Sequence, residues 1–130
     1  MIMRIAINGK FLQAQQTGVQ RTSLNLLKHL LLLDNDNDYL LFIISETKTT
    51  KSLNRFKNLK IISSNYKENQ LFKKLIWEQY FLPKLAKQYK ADLLFCPANS
   101  APLFTSTPYI VHIHDACFKV NPKWYSFKFK

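Results

Sequence analysis

The sequence predicts an α/β domain, an open parallel sheet with helices on both of its faces. Three observations lead there. Apolar runs such as Tyr39–Ile44 and Ala91–Cys96 read as strands covered on both sides. Two longer stretches, Thr17–Leu33 and Gln70–Lys90, repeat apolar residues at helical spacing. The two kinds of segment alternate along the chain, as they do where parallel strands are joined by crossover helices.

In chain order, Met1–Asn8 is the first strand and ends in Asn-Gly. Lys10–Gln16 has no periodicity and is expected to be a loop. Thr17 can cap the first helix, with Gln20 completing a capping box. Leu24, Leu27 and Leu31 share one face of it, widened by Leu30 and Leu33. Asp34–Asp38, DNDND, is a polar turn before the strand Tyr39–Ile44. Ser45–Asn58 is expected to be a mobile loop with a short helix, and Leu59–Ile62 a short strand. The second helix carries Phe72, Leu75, Ile76, Leu82, Ala86 and Tyr89, and Pro83 should kink or break it. Ala91–Cys96 is a strand, Pro97–Pro108 a loop, and Tyr109–His114 the last strand. Pro122–Lys130 looks like the start of another helix.

The chain has 130 residues, 47% of them hydrophobic, enough for one domain with a real core and too apolar for a disordered segment. No repeat or linker divides residues 1–130. Nineteen Lys and Arg against eight Asp and Glu give a formal charge of +11, which suggests phosphates, an acidic membrane face or nucleic acid as partners. The lysines are scattered, which fits a solvated basic surface equally well. Nucleic acid is disfavoured: most aromatics fall inside apolar patterns, and only Arg4, Arg21 and Arg55 are arginines. Cys96 and Cys117 make no disulfide framework and read as reduced packing residues. No run approaches the length of a membrane span, and no signal peptide is visible. The expected location is cytoplasmic, with peripheral contact at the inner face of a membrane.

In open parallel sheets, ligands bind beyond the carboxyl ends of the strands. Three polar clusters fall there: TGVQR (17–21), PANSAP (97–102) and HIHDAC (112–117). At the start of the first helix, free N–H groups at Thr17 and Gly18 favour an anion, and Arg21 can add a charge-assisted contact. The alternative is an ordinary capped helix. With only two glycines the chain has neither a G-x-G-x-x-G nor a P-loop, which argues against a dinucleotide-binding domain. On an extended strand His112 and His114 share a face. His114, nearer the end, is the site candidate, and His112 reads as a satisfied core histidine. Asp115 either orients His114 or caps a turn. His-x-His with one Asp lacks the further ligands of a zinc site. DNDND lacks the Gly and Glu of a calcium loop, having Tyr39 and Ser45 in their places. No metal is expected, and no serine or cysteine has the setting of a catalytic nucleophile.

MRIAINGKFL (3–12), TGVQR (17–21), LIWEQYFLPKL (75–85), ADLLFCPANSAPL (91–103) and YIVHIHDACF with NPKWYS (109–126) together resemble the N-terminal half of the family 4, or group 1, retaining glycosyltransferases. The resemblance implies a Rossmann-like domain forming the acceptor side of a GT-B fold. It implies a nucleotide-sugar donor, a glycan or lipid-linked acceptor, surface polysaccharide or lipopolysaccharide assembly, and no metal or other cofactor. Thr17, Gly18, Val19 and Arg21 would border the donor pyrophosphate. His114 and Asp115 would lie beside the transferred sugar, and Asn99 and Ser100 would touch the acceptor. Trp77 and Glu78 match the family pattern and read as packing and surface. Asn8 and Lys10 stand where Asp and Arg are common, and Thr22 where an aromatic is. The donor-binding half has no counterpart in this sequence. The tail KWYSFKFK leaves Trp124, Tyr125, Phe127 and Phe129 without obvious partners. A truncated transferase, inactive alone, is therefore expected. The alternative is a non-catalytic fragment or the binding subunit of a split transferase, completed by a separate donor domain.

Overall fold

The computed structural model describes residues 1–64, 71–121 and 123. Apart from Lys123, the expected helix over 122–130 and its aromatic tail lie outside the described residues. Five strands, β1 (Arg4–Asn8), β2 (Asp38–Ile43), β3 (Leu59–Ser63), β4 (Leu93–Cys96) and β5 (Tyr109–Val111), form one sheet in the order β3-β2-β1-β4-β5. Every pairing is parallel, with Ile5 opposite Tyr39 on one side of β1 and opposite Leu93 on the other. This is a Rossmann-like α/β architecture.

Alternation along the strands feeds two cores. Ile7, Tyr39, Leu41 and Ile43 point to the face covered by α1 (Gly18–Leu33), through Leu24, Leu27 and Leu31. Ala6, Leu40, Phe42, Leu94 and Cys96 point to the other face, where Trp77, Leu82 and Ala86 cover them. Leu30 packs at the first core's margin, but Leu33 is exposed and does not widen the stripe. Leu33 is the last residue of the helix.

The expected loop after β1 is a 3-10 turn, Gly9–Gln13, which buries Phe11 and Leu12. Its apolar pair is too short to show a period. Gly9 is required there, because a Cβ would stand 2.4 Å from the Phe42 carbonyl oxygen. Ser45–Asn58 is more ordered than its polarity suggests. It forms α2 (Lys48–Ser52) and a 3-10 turn, Leu53–Arg55, anchored by buried Thr50, Leu53 and Phe56.

The second long helix has three parts: α3 (Leu71–Ile76), a π-helical stretch Trp77–Phe81, and α4 (Leu82–Gln88). Pro83 neither breaks nor ends it. The wide turn immediately before, closed by the Leu82 N–H on the Trp77 carbonyl, accommodates the proline within the first turn of α4. Leu75 and Ile76 are partly exposed, at 50% and 37%, so the apolar repeat overstates what α3 buries. The last strand is shorter than expected and stops at Val111, leaving His112–Ala116 irregular before α5 (Cys117–Val120).

Candidate active site

The strand order reverses at β1: the chain builds outward to β2 and β3, then crosses back to β4 on the other side. Adjacent loops leave in opposite directions at such a point and open a crevice beyond the carboxyl ends of the two strands. A cavity of about 500 Å³ lies there. Its lining comes from the end of β1 (Asn8), the 3-10 turn (Lys10, Phe11), the approach to α1 (Ala14, Gln20), α3 (Lys74, Leu75) and the loop after β4 (Ala98, Ser100).

Beneath its polar floor of Asn8, Lys10 and Ser100 lies Glu78, which is 1% exposed and ties the three together. Glu78 Oε1 accepts from Asn8 Nδ2 at 2.7 Å and from Ser100 Oγ at 2.8 Å. Glu78 Oε2 pairs with Lys10 Nζ at 2.6 Å. Lys10 Nζ also donates to Ser100 Oγ at 3.0 Å, while the Lys10 N–H donates to Asn8 Oδ1 at 3.1 Å. A buried carboxylate is sustainable only with such partners. The expectation of Glu78 as a surface residue is therefore corrected. The π-helical stretch turns Trp77 and Glu78 both inward, Trp77 donating to Ser64 Oγ at 2.9 Å. Below this floor, burial pushes the Cys96 thiol up to about 12, so it is an inert neutral group. Cys117, in contrast, is exposed and does not pack.

A second group adjoins the first through the same loop. Ser23 of α1, fully buried, donates to the Pro97 carbonyl at 2.8 Å, and His114 Nε2 lies 2.8 Å from that oxygen. A carbonyl only accepts, so Nε2 carries the proton, and in the neutral ring Nδ1 is left as an acceptor. Asn99 adopts a left-handed backbone (φ 60°) and its Oδ1 accepts the His114 N–H at 2.7 Å. The His112 and His114 rings stack, 4.1 Å between centroids. His112 is not the satisfied core histidine expected: its Nδ1 is buried with no partner among the described residues.

The sequence candidates therefore divide. Ser100 lines the cavity, and Asn99 positions His114 from outside it. Thr17 caps α1 as expected, its N–H donating to Gln20 Oε1 at 3.2 Å, and its hydroxyl meets the same oxygen. Gln20 thereby carries the amino end of α1 to the cavity rim, with Gly18 in open space and Val19 partly covered. Arg21 is exposed on the first turn. Asp115 is exposed and accepts the Cys117 N–H at 3.2 Å, so it caps the turn that leads into α5. The sequence reading missed the roles of Asn8, Lys10 and Glu78. The available signal was a single carboxylate inside the apolar run LIWEQYF.

Among the described residues no group of three or more His, Cys, Asp or Glu is placed to hold a metal ion, and no helix is long and apolar enough to cross a membrane. No protein-family model, curated protein or solved structure matches the chain.

Proposed function

We propose that this chain is the acceptor-side domain of a GT-B retaining glycosyltransferase, working with a donor-binding domain supplied in cis or in trans. The observation that carries the reading is convergence. The end of β1, the amino end of α1, the loop after β4 and His114 all meet at the switch point of the sheet. The sequence resemblance assigns a sugar-transfer site to the same segments. In this reading the amino end of α1 meets donor phosphate through the N–H groups of Gly18 and Val19; the Thr17 N–H, expected to be free, is taken by Gln20 Oε1. His114, held by the Pro97 carbonyl and Asn99, offers Nδ1 to a sugar hydroxyl as positive charge develops at the anomeric carbon. Asp115 acts on His114 only through the turn that it caps. The products are a glycan or lipid-linked sugar, with a peripheral position on an anionic membrane face supported by the basic surface.

The test isolates the native assembly through a tag on this chain and offers it a panel of nucleotide-sugars with a membrane lipid extract. Transfer with retained anomeric configuration is expected. Neither transfer nor donor hydrolysis across the panel overturns the reading. In the active assembly His114→Ala should lower kcat by about 100-fold and change donor Kd far less. Unchanged turnover removes His114 from the mechanism.

A further inference from the structure

We infer that the cavity at the end of β1 binds an amphipathic phosphate, its phosphoryl group at Lys74 and its apolar substituent against Phe11, Leu75 and Ala98. Among the described residues two ammonium groups line the cavity, Lys10 and Lys74, and no carboxylate does. The two are not equivalent. Lys10 is neutralised by Glu78 at 2.6 Å. Lys74 Nζ donates to the Gln13 carbonyl at 3.0 Å, a neutral acceptor, and no carboxylate among the described residues pairs with it. The amino end of α1, reaching the rim through Gln20, adds partial positive potential of the same sign.

The rest of the lining has the opposite character. Phe11, Ala14, Leu75 and Ala98 supply an apolar wall, and Leu75 is half exposed at it. The volume of about 500 Å³ is in the range that holds a small organic ligand. A bare phosphate would fill a fraction of that space and leave the wall wet. A neutral apolar molecule would leave the Lys74 charge unanswered beside a desolvated wall. A phosphate ester with an apolar group answers both. The same chemistry is offered by a lipid phosphate in a bilayer and by a soluble phosphate ester. The binding chemistry stands on the lining alone; that the ligand is the sugar acceptor rests on the glycosyl-transfer reading.

The experiment titrates the whole chain with hexyl phosphate, inorganic phosphate and hexanol, followed by backbone amide shifts. Hexyl phosphate should bind about thirtyfold more tightly than inorganic phosphate, from burial of a few methylenes, and about tenfold more tightly than hexanol, from the charge-assisted contact. The shifts should centre on Lys10, Phe11, Ala98 and Ser100. Lys74→Gln should abolish the advantage over hexanol, and Leu75→Ser should reduce the advantage over inorganic phosphate. Both side chains are solvent-reaching, so both variants should fold, checked by an unchanged amide spectrum away from the cavity. Equal affinity for the three probes, or shifts centred elsewhere, overturns the inference. Phosphatidylcholine vesicles containing phosphatidic acid separate the sources. Retention lost in both variants assigns a lipid phosphate; hexyl phosphate binding without such retention assigns a soluble ester. Sugar transfer without hexyl phosphate binding overturns this inference alone. Hexyl phosphate binding in an assembly that transfers no sugar overturns the glycosyl-transfer reading alone.

Discussion

Glu78 shows why one buried charge can organise a site. Its carboxylate is held by Asn8, Lys10 and Ser100, from three separate elements. Removing one partner of a buried pair leaves a charge without compensation, whereas removing both exchanges it for packing. Lys10→Met alone should therefore lower stability by about 2–3 kcal/mol. Lys10→Met with Glu78→Leu should recover most of that loss, both read from urea midpoints. A double variant as unstable as the sum of two single variants would show that the pair is not coupled. Asp34 gives a pH signature. Hydrogen bonds from the Asn37 side chain, the Tyr39 hydroxyl and the Asp36 N–H hold its pKa down, from 3.8 to about 2. A depressed carboxylate contributes stability that is complete above its unfolded pKa and lost as pH falls through the folded value. The thermal midpoint of the wild type should fall between about pH 4 and pH 2 more steeply than that of Asp34→Asn. Parallel pH profiles would remove Asp34 from the acid transition.

At the scale of elements, the helices show what local sequence does and does not specify. The capping box at Thr17 and Gln20 forms as the pattern predicts, because both partners lie within one turn. Thr17→Ala should cost about 1 kcal/mol, measured by urea unfolding. A loss near zero would mean that solvent replaces the cap. The second helix was legible as a helix but not as one with a π-helical stretch at Trp77–Phe81. Its mark in the sequence is one five-residue step, from buried Trp77 to buried Leu82, too slight to stand out among neighbouring apolar residues. What favours it is tertiary: Trp77 has a core to fill and a partner in Ser64, while Glu78 has Lys10 and Asn8. The segment Ser45–Asn58 failed differently. Its three anchors, Thr50, Leu53 and Phe56, are too sparse to outweigh a polar composition until the first core is present to receive them.

At the scale of the molecule, β1 and β2 are buried on both faces, while β5 is an edge strand with Tyr109 and Ile110 exposed at 46% and 53%. Among the described residues no strand pairs with its outer side, and an open apolar edge presents backbone groups to another chain. The isolated chain should associate as its concentration rises, seen by sedimentation velocity. Ile110→Lys should suppress that association without lowering the unfolding midpoint. Association unchanged by Ile110→Lys would place the contact elsewhere.

The sequence by itself determined the α/β class, the parallel pairing and the end of the sheet where the cavity lies. Those follow from period and from runs such as Tyr39–Ile44, properties of consecutive residues. It also placed Asn99 and Ser100 beyond one strand end and His114 at the end of another, and the fold brings them around one loop. Only the tertiary structure decided that Asn8 and Lys10 form the polar floor of a cavity, held from beneath by Glu78. Glu78 lies 70 residues from Asn8, and no local pattern encodes a partner at that distance. Burial selects it: once the π-helical stretch turns Glu78 inward, the carboxylate needs a cation and donors, and the crossover at β1 puts them there.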